Sequence, residues 1–248
     1  MSILSFKRKE RKFILTRSKM EEILPFILEN MNYDKYCKNG KWYLIRNIYL
    51  DTEDNHLIRL SVMKPYYKEK IRIRKYGTYG DGRTDYFLEI KKKVGGIVTK
   101  RRIELTKEEL DSLLENGIIP HREGYLEKQV LNEISYFLSY RKVKKALFLS
   151  YERLAFVGKE DKTLRLTFDT SLLARRDNLD IDEYDENMKH ILEENLAIME
   201  IKANGAMPLW IVDMLSAHKI YRTSYSKYGK QYEKEIKIKR SIVLWKQI

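Results

Sequence analysis

The feature that most restricts this chain is a repeated alternation of apolar and charged residues. In Ile71-Arg72-Ile73-Arg74 basic residues occupy every second position, and the same step recurs in Phe87-Leu88-Glu89-Ile90-Lys91. It appears again in Leu164-Arg165-Leu166-Thr167-Phe168-Asp169 and in Met199-Glu200-Ile201-Lys202. Lys100, Arg102 and Glu104 alternate with Ile103 and Leu105, Glu10 shares a face with Lys12, and Lys237 and Lys239 alternate with Ile236 and Ile238. Successive side chains of a strand point to opposite faces, so each segment predicts a strand with one apolar and one charged face. An ordinary sheet with its charged face in water accounts for any one of them. The repeated use of Arg or Lys with Glu, in place of a mixture with Ser, Thr and Gln, is better explained by an inward-facing charged wall. The expectation is an α+β fold built on a closed antiparallel β-barrel of about eight strands, with helices packed outside it. Buried like charges are costly unless an anion, water and a few carboxylates offset them, so such an interior implies an anionic ligand.

Helices are predicted from period and caps. Ser18 with Glu21 forms a capping-box pattern ahead of Ile23, Leu24, Ile27 and Leu28, and Thr106 with Glu109 forms another before Leu110, Leu113 and Leu114. Residues Tyr125 to Tyr140 place Leu126, Val130, Ile134 and Phe137 on one face. Two further helices are expected over Asp182–Glu194 and Pro208–His218, the second with proline in its first turn. The face bearing Trp210, Val212, Met214 and Leu215 reads as core packing.

The 248 residues show no repeat, linker or low-complexity tract, so a single domain over 1–248 is the simplest reading. A hydrophobic content of 43% supports a core, and a net charge of +13 calls for an anionic partner. The single cysteine, Cys37, excludes an intrachain disulfide and a multi-cysteine metal site, and fits a reducing cytoplasm. His56, His121, His190 and His218 have no metal-ligand spacing. Lys64, Lys68 and Lys70 read as solvated or at the mouth of the barrel. The apolar stretch at the N-terminus is too short for a signal peptide, and no window is long enough to span a bilayer. The expected location is cytoplasmic, peripheral to a membrane only through a partner.

Specific motifs narrow the anion. In order they are Glu10-Arg11-Lys12-Phe13, Tyr49-Leu50-Asp51-Thr52, Arg72-Ile73-Arg74-Lys75-Tyr76-Gly77 and Phe87-Leu88-Glu89-Ile90-Lys91. Lys100-Arg101-Arg102, Tyr151-Glu152-Arg153 and Arg165-Leu166-Thr167-Phe168-Asp169-Thr170 follow. Met199-Glu200-Ile201-Lys202 and Ser224-Tyr225-Ser226-Lys227-Tyr228 complete the set. Together they resemble the polyphosphate polymerase domain of the vacuolar transporter chaperone (VTC) family, a branch of the triphosphate tunnel metalloenzymes that also includes the CYTH phosphatases. The resemblance spans Glu10 to Tyr232.

The resemblance implies a phosphotransferase that moves the γ-phosphate of ATP onto a growing polyphosphate chain. It implies catalytic roles for Lys12, Arg72, Arg74, Lys91 and Glu200, with Glu200 also holding Mn²⁺ or Mg²⁺. Phosphate binding would fall to Lys100, Tyr151, Arg153, Arg165, Lys202, Ser226 and Lys227. Arg suits bidentate phosphate contacts and Lys acts as a mobile point charge. The implied partners are ATP or another nucleoside triphosphate, inorganic polyphosphate and a separate membrane protein. Nucleic acid is not expected, because no groove-reading helix or RNA-binding strand motif stands out. One departure bears on the reaction. CYTH phosphatases carry Glu-x-Glu-x-Lys on the first strand, whereas this chain has Arg8-x-Glu10-x-Lys12. Loss of a carboxylate favours synthesis over hydrolysis; a tunnel triphosphatase and a non-catalytic polyphosphate-binding module are the alternatives.

Overall fold

A computed structural model describes residues 9–245. In chain order it contains β1 (Lys9–Thr16), α1 (Arg17–Asn30), β2 (Met31–Tyr33), β3 (Tyr43–Asp51), α2 (His56–Val62) and β4 (Tyr67–Tyr76). Next come β5 (Tyr86–Val94), β6 (Ile97–Leu105), α3 (Lys107–Asn116), α4 (Tyr125–Arg141), β7 (Lys144–Gly158) and β8 (Arg165–Arg175). The chain finishes with β9 (Lys189–His190), β10 (Leu196–Ala203), α5 (Leu209–Ala217), β11 (Arg222–Thr223) and α6 (Lys227–Trp245). Arg8, the position that departs from the phosphatase pattern, lies outside the described residues.

The expected closed barrel of about eight strands is not what forms. The strands make one antiparallel sheet of 11, ordered β11-β1-β10-β8-β7-β3-β4-β5-β6, and its two ends do not pair with each other. β2 and β9 attach at its sides, to β7 and β8. Closure would require β6 to hydrogen-bond to β1, but β11 pairs with that edge of β1 through Lys12 and Phe13. Alternation identifies which face a residue occupies; it does not say whether two edges meet. The open sheet is nevertheless strongly curved. β1 and β5 are six strand steps apart, about 29 Å in a flat sheet. Yet Lys91 on β5 lies close enough to Glu10, Lys12 and Lys202 for their charges to act on it.

Three apolar clusters hold the curve. On the outer face, α1 and α5 bury Ile23, Ile27, Ile211 and Met214 against Phe13, Leu166, Met199 and Ile201. Further along that face, α3 and α4 bury Leu110, Leu113, Ile134 and Phe137 against Ile71, Leu88, Ile90 and Ile103. The third cluster fills one end of the concave face, where Ile45, Leu147, Leu149, Leu172 and Ile198 pack against Ile58 of α2 and Tyr228 of α6. The concave face is therefore apolar at one end and charged at the other.

Local chemistry accounts for the helix ends. Thr106 and Glu109 form the expected capping box at α3, and α4 covers the expected apolar stripe. α1 starts earlier than expected: Thr16 Oγ1, not Ser18, caps it by accepting from Lys19 N at 3.1 Å. Pro208 is the N-cap residue of α5 rather than part of its first turn. No helix forms over 182–194, because Asp182 is engaged by Lys75 and Tyr86, and Arg175 takes the carbonyls of Asn178, Asp180 and Glu183. The strand expected around Ile236–Lys239 is part of α6; four alternating residues are too few to separate the two periods.

Asp51 ties the helical layer to the sheet. Its carboxylate is fully buried and accepts from Leu57 N at 2.8 Å, Ile58 N at 3.0 Å and the Tyr228 hydroxyl at 2.9 Å. It thus satisfies two of the free N–H groups of α2, while His56 N donates to Thr52 Oγ1 at 2.8 Å, and it anchors α6 with the same side chain. Gly77, at φ +94, ends β4 where a Cβ would meet the Asp81 carboxylate. No helix among the described residues is long and apolar enough to cross a membrane. Replacing Asp51 by Ala leaves several buried donors unpaired and should cost about 3 kcal/mol in chemical denaturation, against about 1 kcal/mol for Thr106→Ala at an exposed cap.

Candidate functional site

The charged part of the concave face is organised around three buried carboxylates. On β1 and β10, Lys12 pairs in register with Glu200, and Glu10 with Lys202. Lys12 Nζ donates to Glu200 Oε1 at 2.8 Å and lies 3.2 Å from Glu10 Oε1. Glu200 also lies 3.5 Å from Lys227 Nζ and 3.8 Å from Lys202 Nζ. On β4, β5 and β6, Arg72 pairs with Glu89, which pairs with Arg102. Glu89 accepts from Arg72 Nε at 2.8 Å and from Lys100 Nζ, with Arg74 Nη1 at 3.8 Å. On β7 and β8, Arg153 makes a two-pronged contact with Asp169, Nε to Oδ1 at 2.6 Å and Nη2 to Oδ2 at 2.8 Å. Lys227 Nζ, entering from the start of α6, donates to the same Asp169 at 2.6 Å and lies over the Tyr151 ring.

Neutral groups complete the wall. Arg74 donates to Asn47 Oδ1 at 3.0 Å and to the Tyr151 hydroxyl at 3.3 Å, and Arg72 donates to the Tyr49 hydroxyl at 3.3 Å. Lys70, Lys91 and Lys100 stand side by side across β4, β5 and β6. Like charges so placed repel. Lys100 is tied to Glu89, Lys70 Nζ donates to Ser226 Oγ at 3.0 Å, and Lys91 is exposed and makes no ion pair among the described residues.

These environments set the protonation states. Burial opposes ionisation of Glu89, but Arg74, Arg72 and Lys100 override it and hold the carboxyl well below its ordinary value. Burial is likewise overridden at Glu200 by Lys227, Lys12 and Lys202, and at Asp169 by Arg153 and Lys227. All three are ionised at neutral pH, so none is a general acid there. Burial and the neighbouring lysines bring Lys70 down to about 8. Burial works against ionisation of Tyr49 too, but Arg72 and Lys70 reverse it and bring the phenol to about 8. Desolvation by the surrounding wall lowers Lys91 as well, with Lys12 and Lys202 adding repulsion that Glu10 partly offsets, and its solvent exposure moderates the effect. Lys100 is lowered by burial and by Arg74 and Arg72, against Glu89. Its side chain keeps 41% of its surface in water, which moderates that effect.

The structure thus brings Lys12, Arg72, Arg74, Lys91, Lys100, Tyr151, Arg153, Glu200, Lys202, Ser226 and Lys227 to one face. Arg165, in register with Lys202, lies at the end of the same face and pairs with Asp34 at 3.7 Å. Sequence reasoning did not place Glu89 and Asp169 in the site, although Glu89 lies two residues from Lys91 and Asp169 four residues from Arg165, each on the charged face of its strand. It also set Lys70 among lysines solvated or at the mouth of the barrel, where extending the Arg72–Arg74 alternation one step back places it on the wall. Tyr49 carried no comparable signal. Among the described residues no cluster of three or more His, Cys, Asp or Glu side chains is placed to hold a metal. Magnesium-type ions commonly use one or two carboxylates plus phosphate oxygens. Glu200 with Glu10 fits that arrangement only when a phosphate ligand supplies the remaining oxygens.

Comparison with known proteins fits this architecture. A family model described as the VTC domain matches residues 7–236. No curated protein matches the chain. Among solved structures, one from Bacillus halodurans, provisionally assigned as an adenylate cyclase, is similar over 88% of this chain and 95% of its own at 16% identity, with a TM-score of 0.51. That likeness concerns the fold alone. A protein from Pyrococcus horikoshii OT3 matches 91% of this chain and 99% of its own at 13% identity, with a TM-score of 0.43, too low to support an argument.

The depressed lysines give a pH signature. A polyanion favours their charged forms, so binding of inorganic tripolyphosphate at pH 8–9 should take up protons, and affinity should fall as pH rises through about 8. Calorimetry in buffers of different ionisation enthalpy measures the uptake. Lys70→Met should reduce it, while equal heats in all buffers would contradict the assignment.

Proposed function

Because this chain belongs to the VTC-domain family, we propose that it is a polyphosphate polymerase, transferring the γ-phosphoryl group of ATP to the end of an inorganic polyphosphate chain along its cationic concave face. The observation that carries this reading is the row Lys70, Lys91 and Lys100 beside Arg72 and Arg74, where cations outnumber the carboxylates that hold them. Such an arrangement is unfavourable by itself and becomes favourable with a polyanion across it.

Each group then has a physical role. Glu89 and Asp169 hold Arg72, Arg74 and Arg153 in fixed orientations, so their free N–H groups meet phosphate oxygens without reorganisation. Arg72 and Arg74 would bear on the transferred phosphoryl, and Lys91 and Lys100 on its neighbours. Lys12, Lys202, Arg153, Lys227, Ser226 and the Tyr151 hydroxyl would grip the rest of the chain, with Arg165 at the rim. A terminal phosphate oxygen attacks the γ-phosphorus in line, the bond to the β-phosphate oxygen breaks, and ADP leaves. Mn²⁺ or Mg²⁺ held by Glu200 together with phosphate oxygens would neutralise charge on the triphosphate.

The nucleophile's proton state favours synthesis. Water must lose a proton to attack, whereas a terminal phosphate oxygen is already ionised. Glu89, Glu200 and Asp169, tied to cations, are poor bases for that proton. Incubation of the purified chain with ATP and Mn²⁺ should yield ADP and polymer. Orthophosphate without polymer would indicate hydrolysis, and tight polyphosphate binding without turnover a binding module; either contradicts the proposal. Arg72→Ala and Arg74→Ala should each lower kcat/KM by about 100-fold or more, and each should also lower the melting temperature because it takes a cation from the buried Glu89.

A further inference from the structure

The outer face of the same sheet carries a second group of cations that the concave site does not use. Arg46 of β3, Lys75 of β4 and Arg175 at the end of β8 are 1%, 5% and 6% exposed. Arg46 sits in register between Lys75 and Ser150, and Arg175 lies opposite Phe148 with its guanidinium over that ring at 4.0 Å. One carboxylate bonds to this group. Asp182, on the segment between β8 and β9, meets Lys75 at 2.7 Å and Arg46 at 3.3 Å and accepts from the Tyr86 hydroxyl. The other bonds end on carbonyls: Arg46 donates to Ile181 and Thr78, and Arg175 to Asn178, Asp180 and Glu183. Carbonyls satisfy donors but do not cancel net charge.

Three donors remain over. Arg46 Nε, Arg175 Nη1 and the Tyr79 hydroxyl are buried without a hydrogen-bond partner among the described residues. They are neighbours. The Arg46 guanidinium is 4.8 Å from the centre of the Tyr79 ring. Burial raises the Tyr79 phenol, and Arg175 and Arg46 both act against it. Ser150 lies beside the same hydroxyl without a hydrogen bond of good geometry. Tyr184 packs edge-on against Tyr79 at 5.4 Å. A guanidinium N–H can only donate, so whatever these groups share must accept, and uncompensated positive charge favours a negative guest.

We propose that Arg46, Arg175 and Tyr79 enclose a binding site for a small inorganic anion on the outer face of the sheet. Water would satisfy the donors and leave the charge; an anion answers both. The bound anion pins the segment between β8 and β9 onto β3 and β4, behind Asn47 and Arg74 of the concave wall. The site is independent of the proposed polymerase activity.

Crystals of the full chain soaked in sodium bromide provide the direct test. An anomalous bromine peak within about 3.5 Å of Arg46 Nε, Arg175 Nη1 and the Tyr79 hydroxyl is the expected result. A parallel sulfate soak distinguishes a tetrahedral from a monatomic guest. In solution, sodium chloride should raise the melting temperature saturably relative to sodium gluconate at equal ionic strength. Tyr79→Phe, which removes one donor and keeps the ring, should weaken half-saturation about tenfold and so separate this site from chloride on the concave face. An ordered water with neither bromine nor sulfate there, or melting unaffected by the choice of anion in the native chain, would overturn the proposal.

Discussion

Everything on the concave face depends on Glu89, Asp169 and Glu200 staying ionised while almost fully buried. Each is held by two or more cations, and each in turn makes burial of those cations tolerable. Without the carboxylates, the strands carrying Arg72, Arg74, Arg153 and Lys12 could not face one another across a curved sheet; breaking such buried pairs commonly costs about 3–5 kcal/mol. With them, the wall keeps a positive excess and fixed donor directions. Stability and ligand demand therefore arise from the same contacts, and the unpaired Lys91 marks where compensation ends.

The apolar layers make this geometry affordable. Two clusters on the outer face bend the sheet around its charged side, and a third closes one end of the concave face beneath α2 and α6. Asp51 and Tyr228 fix α6, which delivers Ser226 and Lys227 to the wall. Charge alone does not shape the trough; the packing behind it does. Curvature brings β1 and β10 within electrostatic reach of β5 without a continuous ring of backbone hydrogen bonds.

The strands with clean alternation were legible in the sequence: β1, β4, β5, β6, β8 and β10 all carry it. β3 and β7 were legible only as motifs, because Ile45 and Ile48 on one and Leu147 and Phe148 on the other are buried on opposite faces, which erases the two-residue signal. Closure of the sheet was expected and did not form, since the edge contact that decides it depends on the two-residue β11. The segment after β8 was expected as a helix, but its acidic residue and carbonyls are committed to Lys75, Arg46 and Arg175, tertiary partners that local propensity does not reveal. At the site, the cations were legible from motif and period. The carboxylates that organise them were present in the same motifs, and only the paired geometry shows how much rests on them.

On the proposed function, this face recognises an extended chain of phosphates rather than a single one. Isothermal calorimetry of pyrophosphate, tripolyphosphate and longer polyphosphate, each at several salt concentrations, tests it most directly. Affinity should rise with chain length until the ligand spans from Arg72 to Lys202, and its salt dependence should steepen in parallel. Affinity already saturated at pyrophosphate, with a salt dependence independent of length, would contradict it.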